Sequence, residues 1–493
     1  MARKAAKTFA PASFGQERLW FVNQLDPADP GYNVHFACLV QGRVQADLLQ
    51  RAFDQLVARH DSLRANFRET AEGVEQVIHA YRRVRLRIRD FGAGVEAQAH
   101  ARQFLAKESR QPFNLGAGPL VRAYLLHLGE ASDVLCFVIH HIVTDAWSNR
   151  ILFHELMHFY EGLAGPKRTS ELPAPLMSYA DYARWQRSDL VLGRIERQLA
   201  YWKRQLSGEV PALRLSTERR RPVEGHPRGA RCLFPLPQEL SDELKGLARK
   251  ERTTLFIVLL AGFQGLLARY TGLLDIAVGC PIAGRTRREM ESTIGFFINT
   301  LVFRVDHSGR PSFRQLLARV QRVAIEAYMN QDAPFQKVVE VVQPDRSRNG
   351  APLVQISFQL RNEAGRNESI GGPSTQAFPF ETGIGVFELT VSVAETEKGL
   401  AVLVEYNADL FDQPAILRLC GNYRNLLQAS TANPDCPVAS LPLLSEQERG
   451  QVLRARKETA GAEGSLPEWF EAQVARSPEA VALVFGEESL TYA

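Results

Sequence analysis

Two histidine-bearing segments of the chain have residue types and spacing suited to chemistry. The first is His140-His141-Ile142-Val143-Thr144-Asp145, directly after an apolar run. A neutral imidazole accepts a proton near pH 7, and a carboxylate four residues on can hold the loop through an arginine or a backbone donor. Adjacent side chains on extended backbone point in opposite directions, so one imidazole can face a ligand while the other packs inward. The bland alternative is two structural histidines ending a strand. The second segment is His154-Glu155-Leu156-Met157-His158, an HExxH pattern. On a helix this pattern sets both imidazoles on one face, with the glutamate placed to activate a zinc-bound water. A zinc site needs a third protein ligand, and Phe159, Tyr160 and Glu161 supply no histidine where metzincins carry one. A distant glutamate could serve. The competing reading puts His154 and His158 on a polar face, away from the stripe Leu152, Leu156, Phe159 and Leu163.

The elements around these segments follow from hydrophobic period. Residues 134–139 (VLCFVI) are continuously apolar, as in a central strand covered on both faces. A helix over 148–163 follows, and the polar loop 140–145 lies between them, at the strand end where α/β proteins place ligands. Residues 47–60 carry Leu48, Leu49, Phe53, Leu56 and Val57 on one helical stripe. Residues 241–250 and 254–270 read as a helix pair and 312–329 as a further amphipathic helix; 276–279, 353–360 and 400–406 read as strands. The mixture predicts α/β or α+β layers rather than a helical bundle.

Composition sets the outer bounds. The 493 residues suggest two to four structural units at ~100–200 residues each. A net charge of +4, with 45% hydrophobic and 23% charged residues, excludes a disordered, collagenous or strongly nucleic-acid-binding chain. Arg219, Arg220 and Arg221 read as a solvated turn. The 6 cysteines are dispersed, without CxxC spacing, as expected of free thiols in a reducing cytoplasm. The N-terminus MARKAAKTFAPASF has charge but no apolar core behind it, unlike a signal peptide. Residues 255–268 are too few to span a bilayer and predict a buried helix. Boundaries are expected at 164–175 and 459–465, rich in Pro, Gly or small polar residues. Beyond the second, residues 466–493 begin a helix-then-strand unit too short for a core of its own.

Taken in order, the motifs resemble those of nonribosomal peptide synthetase condensation domains, of the chloramphenicol-acetyltransferase-like fold. HHIVTDAWS (140–148) is similar to their HHxxxDG signature. ASFGQERLWFV (12–22) resembles SxAQxRLW, RHDSLRANF (59–67) resembles RHExLRTxF, and YADYARWQ (179–186) resembles YxDYAxWQ. IGFFINTLVFR (294–304), NQDAPFQKVVE (330–340) and DRSRNGAPLVQISF (345–358) resemble the later elements of the same series. The segment 466–493 resembles the start of an adenylation domain, and HELMHFYE falls where family members carry RELxxLYE, which favours an accidental HExxH.

The resemblance implies two lobes, 1–174 and 175–442, forming a V with a tunnel at their junction, then a linker (443–465) and a truncated adenylation start (466–493). It implies amide formation between a thioester donor and the α-amine of an acceptor. Each substrate would ride on the phosphopantetheine of a partner carrier protein, upstream for the donor and downstream for the acceptor. His141 would face substrate and His140 pack inward; Asp145 would brace the loop through Arg285, and Ala146 would keep a backbone donor. Trp147, Ser148 and Asn299 would line the tunnel. No cofactor, metal, nucleic acid or membrane is implied, the rest of an adenylation domain is a further partner, and the place is the cytoplasm. A condensation-like domain that only recruits a partner is the alternative. Three departures stand out: Ala146 replaces the signature glycine, Gly15 stands where alanine is usual, and Gly350 follows Ser347-Arg348-Asn349 in place of proline. If the Ala146 position needs positive φ, alanine there costs ~1 kcal/mol.

Overall fold

The computed structural model describes residues 7–80, 82–165, 171–213, 215, 228–342, 353–361, 375–383, 387–458, 465–486 and 488–493. The three arginines 219–221, positions 345–352 of the DRSRN element, residues 166–170 of the first boundary and 459–464 of the second lie outside them.

The apolar run at 134–139 lies in the strand Ser132–His140, buried from Asp133 to its end. Hydrogen bonding on both edges makes it internal to a five-stranded sheet, in the order Thr375–Ala377, Asn33–Gln41, Ser132–His140, Val121–His127, Leu86–Asp90. All neighbours are antiparallel except the last pair. The helix Ala46–Arg59 packs against the helix Ala146–Ala164, and Phe53 meets Phe137 of the central strand with ring centroids 5.4 Å apart. That is the first core. A second, six-stranded sheet runs Asn299–Asp306, Asp275–Ile282, Ile356–Arg361, Leu389–Thr396, Gly399–Asn407, Gly229–Pro235, with Ile356–Arg361 parallel to both neighbours. The apolar helix Leu255–Thr271 is buried from Ile257 to Leu267 between this sheet and the helices Phe313–Met329 and Gln413–Ala432. Among the described residues no single helix is long and apolar enough to cross a membrane. A small antiparallel sheet, Lys7–Pro11, Gly73–His79 and Ala65–Thr70, completes the set.

Several expectations shift in detail. The strand expected from 353 begins at Ile356, and the helix expected from 241 begins at Gln238. The loop 140–145 is a short 3-10 turn, His141–Val143, that runs straight into a helix cap. The three-residue strand Thr375–Ala377 leaves the second half of the chain to extend the edge of the first sheet, so no cut at 174 separates the two sheets. Phe378 follows it, donating its N–H to Ala37 O at 2.9 Å, and Phe378 and Phe380 are buried in the first core.

The chain divides into two compact units, Met1–Leu441 and Pro442–Ala493. The second contains the helices Glu446–Glu458 and Leu466–Arg476 and a hairpin of Val481–Phe485 with Glu488–Thr491. Trp469, Phe470, Leu483 and Phe485 of this unit are exposed.

Phe378→Ala should remove the apolar anchor of the crossing strand. A fully packed phenylalanine truncated to alanine loses ~3–5 kcal/mol, so the thermal midpoint of the first unit should fall clearly. An unchanged midpoint would show that the crossing does not hold the sheets.

Candidate active site

The histidine turn is held by backbone hydrogen bonds before any side chain acts. His140 N donates to Leu120 O at 3.0 Å and His141 N to Tyr32 O at 2.8 Å. Gln16, fully buried in the first turn of the helix Phe14–Leu25, donates from Nε2 to Ile142 O at 3.1 Å. The helix thus docks onto the turn. The imidazoles meet different surroundings. His140 is buried; its Nδ1 accepts from Ile142 N at 3.2 Å, and its ring sits edge-on to Phe113. Burial, helped by neighbouring His141, pushes its pKa down to about 3, so it stays neutral. His141 is half-buried, with Nδ1 2.7 Å from Thr144 O. A carbonyl only accepts, so Nδ1 carries the proton and Nε2 the lone pair. Burial also lowers the His141 pKa, against the opposing pull of the Thr144 bond and Asp145.

Asp145 caps the helix Ala146–Ala164, accepting from Ser148 N at 2.7 Å. Its other oxygen accepts from Phe297 N at 3.0 Å, and Arg285 Nη2 lies 3.2 Å from Oδ1. Arg285 also donates to Ser148 Oγ at 2.7 Å, to Thr293 O at 2.8 Å and to Met290 O, with its guanidinium 4.1 Å from the Phe297 ring centre. Both side chains of the pair are almost wholly buried. The partnership expected from the motifs is therefore present as a buried ion pair.

Ala146 is the first residue of its helix and is not among the positive-φ residues, so the condition under which alanine would cost backbone strain is not met. Ser148, expected on a tunnel wall, is fully buried: its Oγ donates to Gly295 O at 2.8 Å and accepts from Gly295 N and Arg285. It belongs to the brace. Trp147 is 41% exposed and donates from Nε1 to Glu291 O at 2.9 Å. Asn299 bonds Gln331 O, Ala333 O and Phe335 N, which fixes the start of the helix Phe335–Val342. That helix and Phe14–Leu25 wall a cavity of about 610 Å³ lined by Phe21, Val22, Phe335, Val354 and Phe387, with Arg18 and Tyr32 on the side of His141.

Residues to which the motifs gave no role close the site from behind. Tyr179 OH donates to Phe296 O at 2.6 Å and lies 2.9 Å from Ser13 Oγ. A methyl at Gly295 would stand 1.8 Å from the Tyr179 ring, so only glycine admits that ring. The HExxH pattern has a different use. Glu155 is buried and accepts from Arg59 Nε at 3.0 Å, with His60 Nε2 at 2.7 Å, while His154 is exposed. Among the described residues no three His, Cys, Asp or Glu side chains converge as metal ligands.

Comparison with known proteins gives one consistent answer. Residues 6–453 match the family model of the condensation domain. A linear gramicidin synthase component of Brevibacillus parabrevis is 40% identical over 98% of the chain, which spans only 6% of that protein. The phosphinothricin tripeptide synthetase PhsB of Streptomyces viridochromogenes is 36% identical over 96% of the chain and 41% of its own length. The X-domain solved in complex with OxyB from teicoplanin biosynthesis superposes with a TM-score of 0.79 at 25% identity, covering 89% of this chain and 96% of that one. A four-domain nonribosomal peptide synthetase bound to AMP and glycine shares the fold at a TM-score of 0.77 and 22% identity, over 100% of this chain and 38% of its own.

Two outcomes are expected. Asp145→Ala and Arg285→Ala should each lower the thermal midpoint, and the double variant should lose less than the sum, because the second change removes an already orphaned charge. Strict additivity would mean no pair. For acid stability, His140 has its pKa at about 3, and His35 and His307, also through burial, at about 4, all below the ordinary 6.5. The unfolded chain binds protons from about pH 6.5 downward while the fold does not, so their contribution is complete above 6.5 and is lost as pH falls toward 3. His140→Asn should flatten that slope in thermal melts; an unchanged slope would contradict it.

Proposed function

The chain belongs to the condensation-domain family, and we propose that it joins a carrier-bound acyl or peptidyl thioester to the α-amine of a carrier-bound aminoacyl acceptor. The observation that carries this reading is His141, a neutral imidazole whose Nδ1–H donates to Thr144 O and whose Nε2 carries the lone pair, next to Arg18 and Tyr32, which line the cavity. In the step it serves, the amine nitrogen bonds to the thioester carbonyl carbon and the nitrogen gives up a proton. The C–S bond then breaks, and the departing sulfur takes up a proton as the phosphopantetheine thiol. A thioester is reactive enough to need no covalent enzyme intermediate. The protein supplies alignment, an acceptor for the amine's proton, and dipoles for the developing oxyanion. His141 Nε2 takes or orients that proton. The exposed Ala146, at the positive end of its helix, supplies the backbone N–H assigned to the oxyanion.

The wider assignment follows from the same reading. The carriers bring donor and acceptor arms to opposite mouths of a tunnel between the part built on the five-stranded sheet and the part built on the six-stranded sheet. Phosphopantetheine arrives with them as part of the substrates, and the chain itself needs no cofactor. Residues 466–493 resemble the start of an adenylation domain, and Trp469, Phe470 and Phe485 stand exposed there. The free cysteines suit a cytoplasmic synthetase. Since one solved relative is in complex with OxyB, recruitment without chemistry is the reading that an experiment must separate.

Carrier proteins loaded with donor and acceptor, mixed with the chain and followed by mass spectrometry, should yield the amide. His141→Ala should reduce its rate by ~10²-fold or more while the thermal midpoint stays near wild type. Wild-type amide formation by this variant would remove His141 from the chemistry, and no amide from the wild-type chain with any carrier pair would favour recruitment.

A further inference from the structure

The Thr144 bond fixes one nitrogen of His141 but leaves the ring free to tilt about that contact. A second contact stops it. The Phe296 ring meets the imidazole edge-on, with centroids 5.0 Å apart at 79°. Phe296 is itself only 8% exposed, and its backbone is held on each side: its carbonyl accepts from Tyr179 OH, Phe297 N donates to Asp145, and Gly295 N donates to Ser148 Oγ. On a further side lies Gly15. A methyl at that position would stand 2.8 Å from Phe296 Cε1 and 2.9 Å from Cδ1, closer than carbon atoms approach without displacement. Gly15 sits in the first turn of Phe14–Leu25, between Ser13, which contacts Tyr179 OH, and Gln16, which is bonded to the histidine turn. The helix cannot readily retreat to make room.

We propose that Phe296 is a positioning residue that seats the His141 imidazole for amide formation, and that Gly15 is the space this ring requires. The proposal rests on the assigned reaction and deepens it. It also gives a physical reason for glycine at position 15: a methyl there displaces the phenyl ring that touches the imidazole. Displacing a catalytic group by about 1 Å costs up to ~10²-fold in rate.

The test uses the full chain with loaded carriers and three variants, Gly15→Ala, Phe296→Leu and the double change. Gly15→Ala should lower kcat by about tenfold or more, toward that limit, with KM for the carriers within about twofold, since carrier docking is untouched. Leucine is shorter than phenylalanine, so Gly15→Ala/Phe296→Leu should be faster than Gly15→Ala alone and should approach Phe296→Leu. Such rescue is not produced by a general loss of stability. Wild-type kcat in Gly15→Ala, or a double variant as slow as Gly15→Ala, would overturn the proposal while leaving the function intact if His141→Ala is still inactive. Proton NMR of the His141 ring decides the contact without any turnover. Its shifts should move in Phe296→Leu as the phenyl ring current is lost, and unchanged shifts would contradict it.

Discussion

A buried ion pair, Asp145 with Arg285, is the interaction on which the geometry of the site depends. Taking each charge out of water costs several kcal/mol, so the pair is tolerable only where further hydrogen bonds offset that cost. Here Asp145 accepts from two backbone amides as well as the guanidinium, and Arg285 donates through its two Nη groups to Ser148, Thr293 and Met290 as well. Its buried Nε has no hydrogen-bond partner, and the guanidinium lies against the Phe297 ring. The two residues lie 140 apart in sequence. One caps the helix that follows the histidine turn, and the other follows the last strand residue, Ile282, of its own segment in the second sheet. Breaking the pair therefore loosens the turn from the segment carrying Phe296 and Phe297, at the place where their contacts set the position of His141.

With that brace in place, the imidazoles divide their roles through burial. Both are pushed toward the neutral form, but only His141 keeps a nearby carboxylate and a carbonyl partner that oppose the shift. His140 is sealed against Phe113 and carries a backbone donor, so its chemistry is structural. His141 stays only half-buried, and its backbone N–H bonds Tyr32, which with Arg18 lines the cavity. The arrangement supplies a fixed proton acceptor without any charge that must be created first, which suits a reaction whose electrophile arrives already activated.

Much of this is legible in the chain itself, because strong hydrophobic period marks buried elements. VLCFVI marks its strand, and the stripes at 47–60 and 312–329 mark helices within a residue or two of Ala46–Arg59 and Phe313–Met329. The alternation of side chains on extended backbone separates His140 from His141. Contacts between segments distant in sequence are not legible. Ser148 reads as a wall residue because its neighbours do, and only the fold shows its hydroxyl shared between Gly295 and Arg285. Tyr179 and Phe296 sit inside recognised motifs, yet a motif does not say which ring touches which. The strand Thr375–Ala377 has three residues, too few for any period, and its partner is more than three hundred residues away in sequence. Glu155 of the HELMH segment misleads for a local reason: its pattern is a helix repeat, while its real partners, Arg59 and His60, lie on another element.

The central claim is that the brace and its neighbours present His141 as a neutral imidazole with Nδ1 protonated and Nε2 free. Nitrogen NMR of the chain labelled at histidine, with His141→Ala to assign the signal, tests it most directly. The account predicts an Nδ1–H tautomer at pH 7 and a titration midpoint below the ordinary 6.5. An Nε2–H tautomer, or a midpoint at or above 6.5, would contradict it.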